Sequence, residues 1–257
     1  MAAGLVQATS GLEATQLALD VWANNLANAN TTAFAPSEPI QVSLPETPIP
    51  VGNWPGLSRP TPAELAVGTG TALAGARPVF GQGGLVATGI ATDVALQGPG
   101  FFVVRTPAGV AYTRAGNFSV DGAGNLVTPG GAFVLSTSLS PINVGTGPVS
   151  IGPDGTVSSA GKTVANLAVA NFPNPGGLVP TQDNLFVAPA TGVSNAGAPS
   201  VGAPPKGTTI LAGTLEGSGT DVSSGLVQVL DLSRNFSLDA KAMSITDQML
   251  SWAAQLT

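Results

Sequence analysis

The chain has 257 residues, enough to bury a sizeable core as one large or two small domains. Only 9% of them are charged and the net charge is −6, so a phosphate-neutralising surface is excluded and no nucleic-acid partner is expected. Histidine and cysteine are both absent, which removes Ser-His-Asp and Cys-His catalysis, histidine-ligated zinc, thiolate metal sites and disulfides.

Gly (34) and Pro (22) are abundant, yet 43% of the residues are hydrophobic and the mean hydropathy is +0.32. Disordered chains combine low hydrophobicity with high charge, so a folded chain rich in turns is expected. The first basic residue is Arg59, and no cleaved secretory signal is expected because no positive region precedes the N-terminal apolar stretch. No apolar run is long enough to cross a bilayer as a helix.

In chain order, residues 2 to about 30 contain no proline. Leu5, Leu12, Leu19 and Leu26 recur every seven residues, with Ala8, Thr15 and Trp22 between them. That spacing predicts a helix with a heptad seam, roughly 40 Å long. Asn28, Asn30, Thr31 and Thr32 supply a polar stop. Residues 36–62 hold eight prolines; no helix interior survives that density, so the segment is expected to be extended or polyproline-like. Its fixed φ values make it a semi-rigid strut.

From about Phe80 to Leu215, short apolar runs alternate with turns. Phe101-Phe102-Val103-Val104 follows Gly98-Pro99-Gly100, and Pro107-Ala108-Gly109 leads into Val110-Ala111-Tyr112. Such spacing predicts a β-sandwich, barrel or orthogonal sheet. Residues 221–256 again lack proline. One stripe runs Val222, Leu226, Val229, Ser233, Phe236, Ala240, Met243, and a second runs Leu238, Ala242, Ile245, Met249, Trp252, Leu256. A helix with two apolar faces wants more than one neighbour. Ser218, Thr220 and Asp221 are candidate N-caps. The fold class expected is α+β, with the N- and C-terminal helices paired as a coiled coil and a β-rich middle. The expected divisions are residues 1–34, 35–66, 67–215 and 216–257.

Candidate chemistry is sparse. Gly155 and Gly161-Lys162-Thr163 approach a phosphate loop, but there are five residues between the glycines where the motif needs four, and a strand follows. A hairpin turn at Ala160-Gly161 is the better reading. Asp121-Gly122-Ala123-Gly124-Asn125 lacks the ligands of a calcium loop and reads as a β-turn. Asp121 and Asp154 sit in Asp-Gly turns, which is a sufficient structural reason for them. No enzyme, cofactor, metal site or small-molecule substrate is expected. The assembly interface is expected on the helices, at Leu5, Leu12, Leu19, Trp22, Leu26, Leu226, Val229, Phe236, Met243, Ile245, Met249 and Trp252. A secreted β-rich carbohydrate-binding domain, or a hydrolytic one using carboxylates, is the alternative from a different class.

Several stretches resemble bacterial flagellar rod and hook proteins. Asn24-Asn25-Leu26-Ala27-Asn28, Thr31-Thr32 and Phe34 resemble their N-terminal signature, with Ala33 where a glycine is usual. Gly98 to Val104, Tyr112 to Phe118, Asp121 to Thr128 and Ile151 to Val157 resemble their middle domain. Ala170 to Leu178, Asn184-Leu185-Phe186, Gly213 to Ser218 and Thr246 to Leu250 are most similar to the distal-rod members. The likeness spans nearly the whole chain apart from about residues 36–66.

The resemblance implies a structural subunit, exported unprocessed through the flagellar type III apparatus into the periplasm-spanning rod of the basal body. It implies a hollow helical driveshaft around the export channel, with the terminal helices as an inner coiled-coil layer. It implies other rod proteins, hook or hook-junction subunits and the envelope bushing rings as partners. Another rod or hook-type subunit with a single middle domain is the alternative within the family.

Overall fold

The computed structural model of the chain describes residues 2–49, 65–189, 196–205 and 207–255. Two long helices flank a β-rich middle: α1 spans Ala2–Ala27 and α2 spans Val222–Gln255. The class is therefore α+β. Packing divides the chain into two units. One comprises Met1–Asn24, Glu38–Ala76 and Ser223–Thr257; the other comprises Asn25–Ser37 and Arg77–Val222.

In the first unit, the described part of the proline-rich segment, residues 36–49, is extended as its φ restriction requires, but its partner is its own chain. Strand Ser37–Ser43 pairs with Thr71–Pro78, and Thr47–Ile49 pairs with Leu65–Val67. Pro39 and Pro48 lie within this narrow ribbon, where a missing N–H costs little because one edge of each strand is free. Residues 50–64, with Pro50, Pro55, Pro60 and Pro62, lie outside the described residues.

The ribbon lies on α1. Gln7 Nε2 donates to the Gly68 carbonyl, and Gly70 stands so close to Ser10 that a Cβ there would overlap its hydroxyl. Ala14, Thr15 and Ala18 are buried. Small side chains on that face allow the close approach. The heptad residues Leu12, Leu19, Trp22 and Leu26 occupy its flank and are half-buried; the side chain of Leu5 lies outside the described ones.

In the second unit, strand Phe101–Thr106 is central. Its first half pairs with Val169–Asn171, its second half with Phe133–Val134, and its other edge with Gly109–Thr113. The sheet continues from Gly109–Thr113 through Phe186–Val187 to Val179–Pro180, and from Phe133–Val134 through Leu126–Val127 to Ser119–Val120. Side chains alternate between the faces of a strand. Phe102 and Val104 therefore join one apolar cluster, with Val94, Leu96, Leu126, Ile142 and Leu167. Phe101 and Val103 join another, with Tyr112, Phe172, Leu178 and Phe186. Both faces are covered, which is why the run Phe101–Val104 is continuously apolar instead of alternating.

Aromatic rings organise the second cluster. Phe80 meets Phe101 and Phe186 edge-on at 4.9 Å, and Phe172 meets Tyr112 at 4.8 Å. A three-stranded sheet, Val149–Ile151, Thr156–Ser159 and Lys162–Asn166, adds a hairpin whose turn is Ala160-Gly161, with φ of 49° and 78°. Lys162 and Thr163 are thus strand residues, not a phosphate loop. Asp121 is a turn residue: its Oδ1 accepts from the backbone N–H groups of Ala123 (2.8 Å) and Asn125 (2.7 Å). Among the described residues no acidic cluster could hold a metal ion.

Candidate assembly interface

The roots of the two helices converge in the second unit. α1 ends at Ala27, and Asn25, in its last turn, is buried. Its side chain acts as a strand partner for Ser37: Nδ2 donates to the Ser37 carbonyl and Oδ1 accepts from the Ser37 N–H, both at 2.8 Å. A carboxylate has no donor, and a hydroxyl has donor and acceptor on one atom and cannot span both backbone groups, which gives the second Asn of Asn24-Asn25-Leu26-Ala27-Asn28 a physical reason. Thr31 Oγ1 donates to Asn28 Oδ1 at 3.0 Å, bracing the turn that follows.

The chain that arrives here is bonded to the chain that leaves. Ala33 N–H donates to the Glu216 carbonyl at 2.8 Å, and Gly219 N–H donates to the Phe34 carbonyl at 2.9 Å. Ala33 adopts φ +50°, a left-handed conformation that glycine takes without cost. α2 begins three residues after Gly219, with Asp221 at the N-cap position.

Beneath this junction is a buried ion pair. Arg114 Nε donates to Glu216 Oε2 at 2.9 Å, with the two side chains only 9% and 2% exposed. The remaining guanidinium donors reach the carbonyls of Gly98 (3.2 Å) and Gly100 (3.1 Å) and Gln82 Oε1 (3.3 Å). Glu216 Oε1 accepts from Gly83 N–H at 2.9 Å. Every buried polar side-chain atom of this network has a partner, the condition under which a buried charge pair is tolerated. Nearby, a Cβ on Gly116 would overlap the Val94 carbonyl, so only glycine fits after Arg114-Ala115. The sequence displayed Arg114 and Glu216 in separate motifs, and nothing in it joined them across 102 positions.

The expected helix positions fall into two environments. On α2, Val229, Phe236 and Met243 are half-buried, together with Leu232, Asp239 and Thr246; the spacing is 3-4-3-4-3. Within the first unit, Phe236, Ala240, Met243, Ser244, Gln248 and Ser251 line an open groove of about 550 Å³, to which α1 contributes Leu12. Near its end, a Cβ on Gly11 would lie 3.9 Å from Asp239 Oδ2. An open groove is not interlocked coiled-coil packing, in which each knob fills a hole. The second α2 stripe faces outward: Leu238, Ile245, Met249 and Trp252 are 56–64% exposed, and Leu226 is 47% exposed.

Comparison with known proteins matches three segments of this chain. The flagella basal body rod protein family matches residues 5–34, the flagellar hook protein FlgE/F/G D1 domain residues 95–159, and the flagellar basal body rod FlgEFG protein C-terminal family residues 211–256. The chain is 33% identical to the flagellar basal-body rod protein FlgG of Buchnera aphidicola subsp. Schizaphis graminum over 258 residues, 96% of each chain. It is 32% identical to FlgG of Borreliella burgdorferi over 268 residues, 100% of this chain and 99% of that one. It is 33% identical to FlgG of Caulobacter vibrioides over 265 residues, 97% of each.

Proposed function

This chain belongs to the flagellar basal-body rod protein family, and from that premise we propose that it builds the distal rod by polymerising into a hollow helical driveshaft. It is a structural subunit of the basal-body rod. In the assembled tube α1 and α2 pair as an inner coiled-coil layer around the export channel, and the β-rich middle forms the outer layer. Residues 1–34 and 216–257 are the inner parts, 67–215 the outer part, and 35–66 the stiffening segment. Copies of the same chain, other rod proteins, hook or hook-junction subunits and the envelope bushing rings are its neighbours. It reaches the periplasm-spanning rod through the flagellar export apparatus, transmits torque to the hook, and performs no catalysis.

The outward stripe of α2 carries this reading. Leu238, Ile245, Met249 and Trp252 place large apolar side chains in water along one helix face. Monomeric proteins rarely leave such a row uncovered, and each residue gains roughly 1.5–3 kcal/mol when a neighbour buries it. The test is electron microscopy of concentrated protein. The unmodified chain forms tubes, and Ile245→Asp forms none while keeping the unmodified melting temperature, because Ile245 is 56% exposed in the subunit and a carboxylate there is unpaired only after packing. Normal tubes from Ile245→Asp overturn the stripe as an interface.

A further inference from the structure

The second unit has very few charges, and nearly all are engaged. Asp93 accepts from Thr88 Oγ1, Arg105 donates to the Leu139 carbonyl, Arg114 pairs with Glu216, and Asp121 and Asp154 are held in their turns by Asn125 and Thr156. Arg77 and Asp221 also have partners. Among the described residues of the second unit two ions remain without one: Asp183 and Lys162.

Both side chains are exposed, in different settings. Asp183 borders an open cavity of about 460 Å³ within the second unit, lined by Asn28, Thr32, Thr113, Asn117 and Thr128 together with apolar Leu185. Its backbone is left-handed, φ +60°, and its carboxylate lies over Gly130, where a Cβ would come within 2.6 Å of Oδ2. The cavity wall thus carries one carboxylate, several hydroxyl and amide oxygens, and no cation. Lys162 is the first residue after the turn of the Thr156–Ser159/Lys162–Asn166 hairpin, and Lys162, Thr163 and Val164 are all exposed. It does not line the cavity of its own chain.

We propose that the Asp183 cavity receives the Lys162 hairpin tip of a second copy. A primary ammonium offers three donors on a flexible stem, which suits a cavity of one carboxylate ringed by hydroxyl oxygens. Opposite unpaired charges at two separate sites of one chain, when they meet between copies, make a head-to-tail contact, the type that extends into helical polymers. The contact names a surface within the assembly proposed above and rests on that reading.

The chain has no cysteine, so introduced thiols pair only with each other. Asp183→Cys and Lys162→Cys chains are mixed, concentrated until tubes form, and oxidised. A disulfide-linked heterodimer is expected, absent from a mixture of Asp183→Cys with Val179→Cys. In parallel, Lys162→Gln and Asp183→Asn each raise the concentration needed for tubes about fivefold, and the double variant is no worse than either. Tubes of the mixed cysteine chains that yield no heterodimer, or losses that add in the double variant, overturn the contact and leave the assembly reading standing. Failure of the unmodified chain to form tubes overturns both.

Discussion

Asn25, Ala33, Arg114 and Glu216 show how single residues hold the helix roots within the second unit. Asn25 uses both atoms of its amide on Ser37. Ala33 accepts a left-handed backbone to reach Glu216, where the related signature usually has glycine. The Arg114–Glu216 pair is dry and fully bonded, so the cost falls on removing one half of it. Arg114→Met is expected to destabilise the β-rich unit by about 3–5 kcal/mol, since the Glu216 carboxylate stays buried without its counter-ion. Replacing both, as Arg114→Met with Glu216→Leu, recovers much of the loss. Denaturant midpoints of the three variants check this; equal midpoints for Arg114→Met and the unmodified chain remove the pair from the account of stability.

The Asp-Gly turns are elements whose reading as turns rested on Asp side chains bonding the backbone ahead. Asp121 is held below the ordinary carboxylate value first by the Asn125 side-chain hydrogen bond, then by backbone N–H groups. Asp154 is lowered first by the Thr156 hydroxyl and then by its N–H. A lowered folded-state value stabilises the fold above the unfolded pKa, about 4, and that contribution is lost as pH falls through the folded value. Tyr112 runs the other way: burial raises its pKa, so its contribution is complete below about 10 and lost as pH rises past that. The melting temperature should be level from about pH 5 to 9 and fall on both sides. Asp121→Asn should flatten the acid limb, and an unchanged acid limb in Asp121→Asn together with Asp154→Asn would contradict these turns as its source.

The helices and the proline-rich ribbon show where element-level reading stopped. Heptad leucines correctly marked α1 as a helix, but its most buried face is Ala14, Thr15 and Ala18. Hydrophobic spacing reports apolar faces and says nothing of which one a flat glycine-bearing ribbon will choose. The ribbon was legible as extended because proline forbids the helix. Its pairing partners, Leu65–Val67 and Thr71–Pro78, were not, since strand pairing depends on the fold and not on local φ.

At the scale of the whole molecule, the chain resolves into a unit of two helices plus ribbon and a unit dominated by the doubly covered sheet. The second has its own cores of Val, Leu, Ile and Phe. The first leaves much of α2 exposed. Isolated helices are marginal without packing partners, so in dilute monomer the first unit is the less protected. Limited proteolysis should trim both ends and leave a resistant fragment from about Arg77 to Val222. Termini as resistant as the sheet, at concentrations where no tubes form, would contradict the proposed dependence of the helices on neighbouring copies.

Composition, proline placement and periodicity determined the α+β class, the long terminal helices, the β-rich middle and the exclusion of histidine and cysteine chemistry, because each follows from local backbone preference or from residues that are simply absent. The motif residues were visible too, at Asn25, Gly116, Arg114 and Glu216. Their joint meaning was decided only by tertiary structure. Glu216 meets Arg114 and Ala33 from far along the chain, Asp183 and Lys162 are distinguished by lacking the partners that the other described charges of the second unit have found, and the choice between the two faces of α2 depends on what packs against them. Such facts belong to contacts between distant segments, and a one-dimensional pattern carries no term for them.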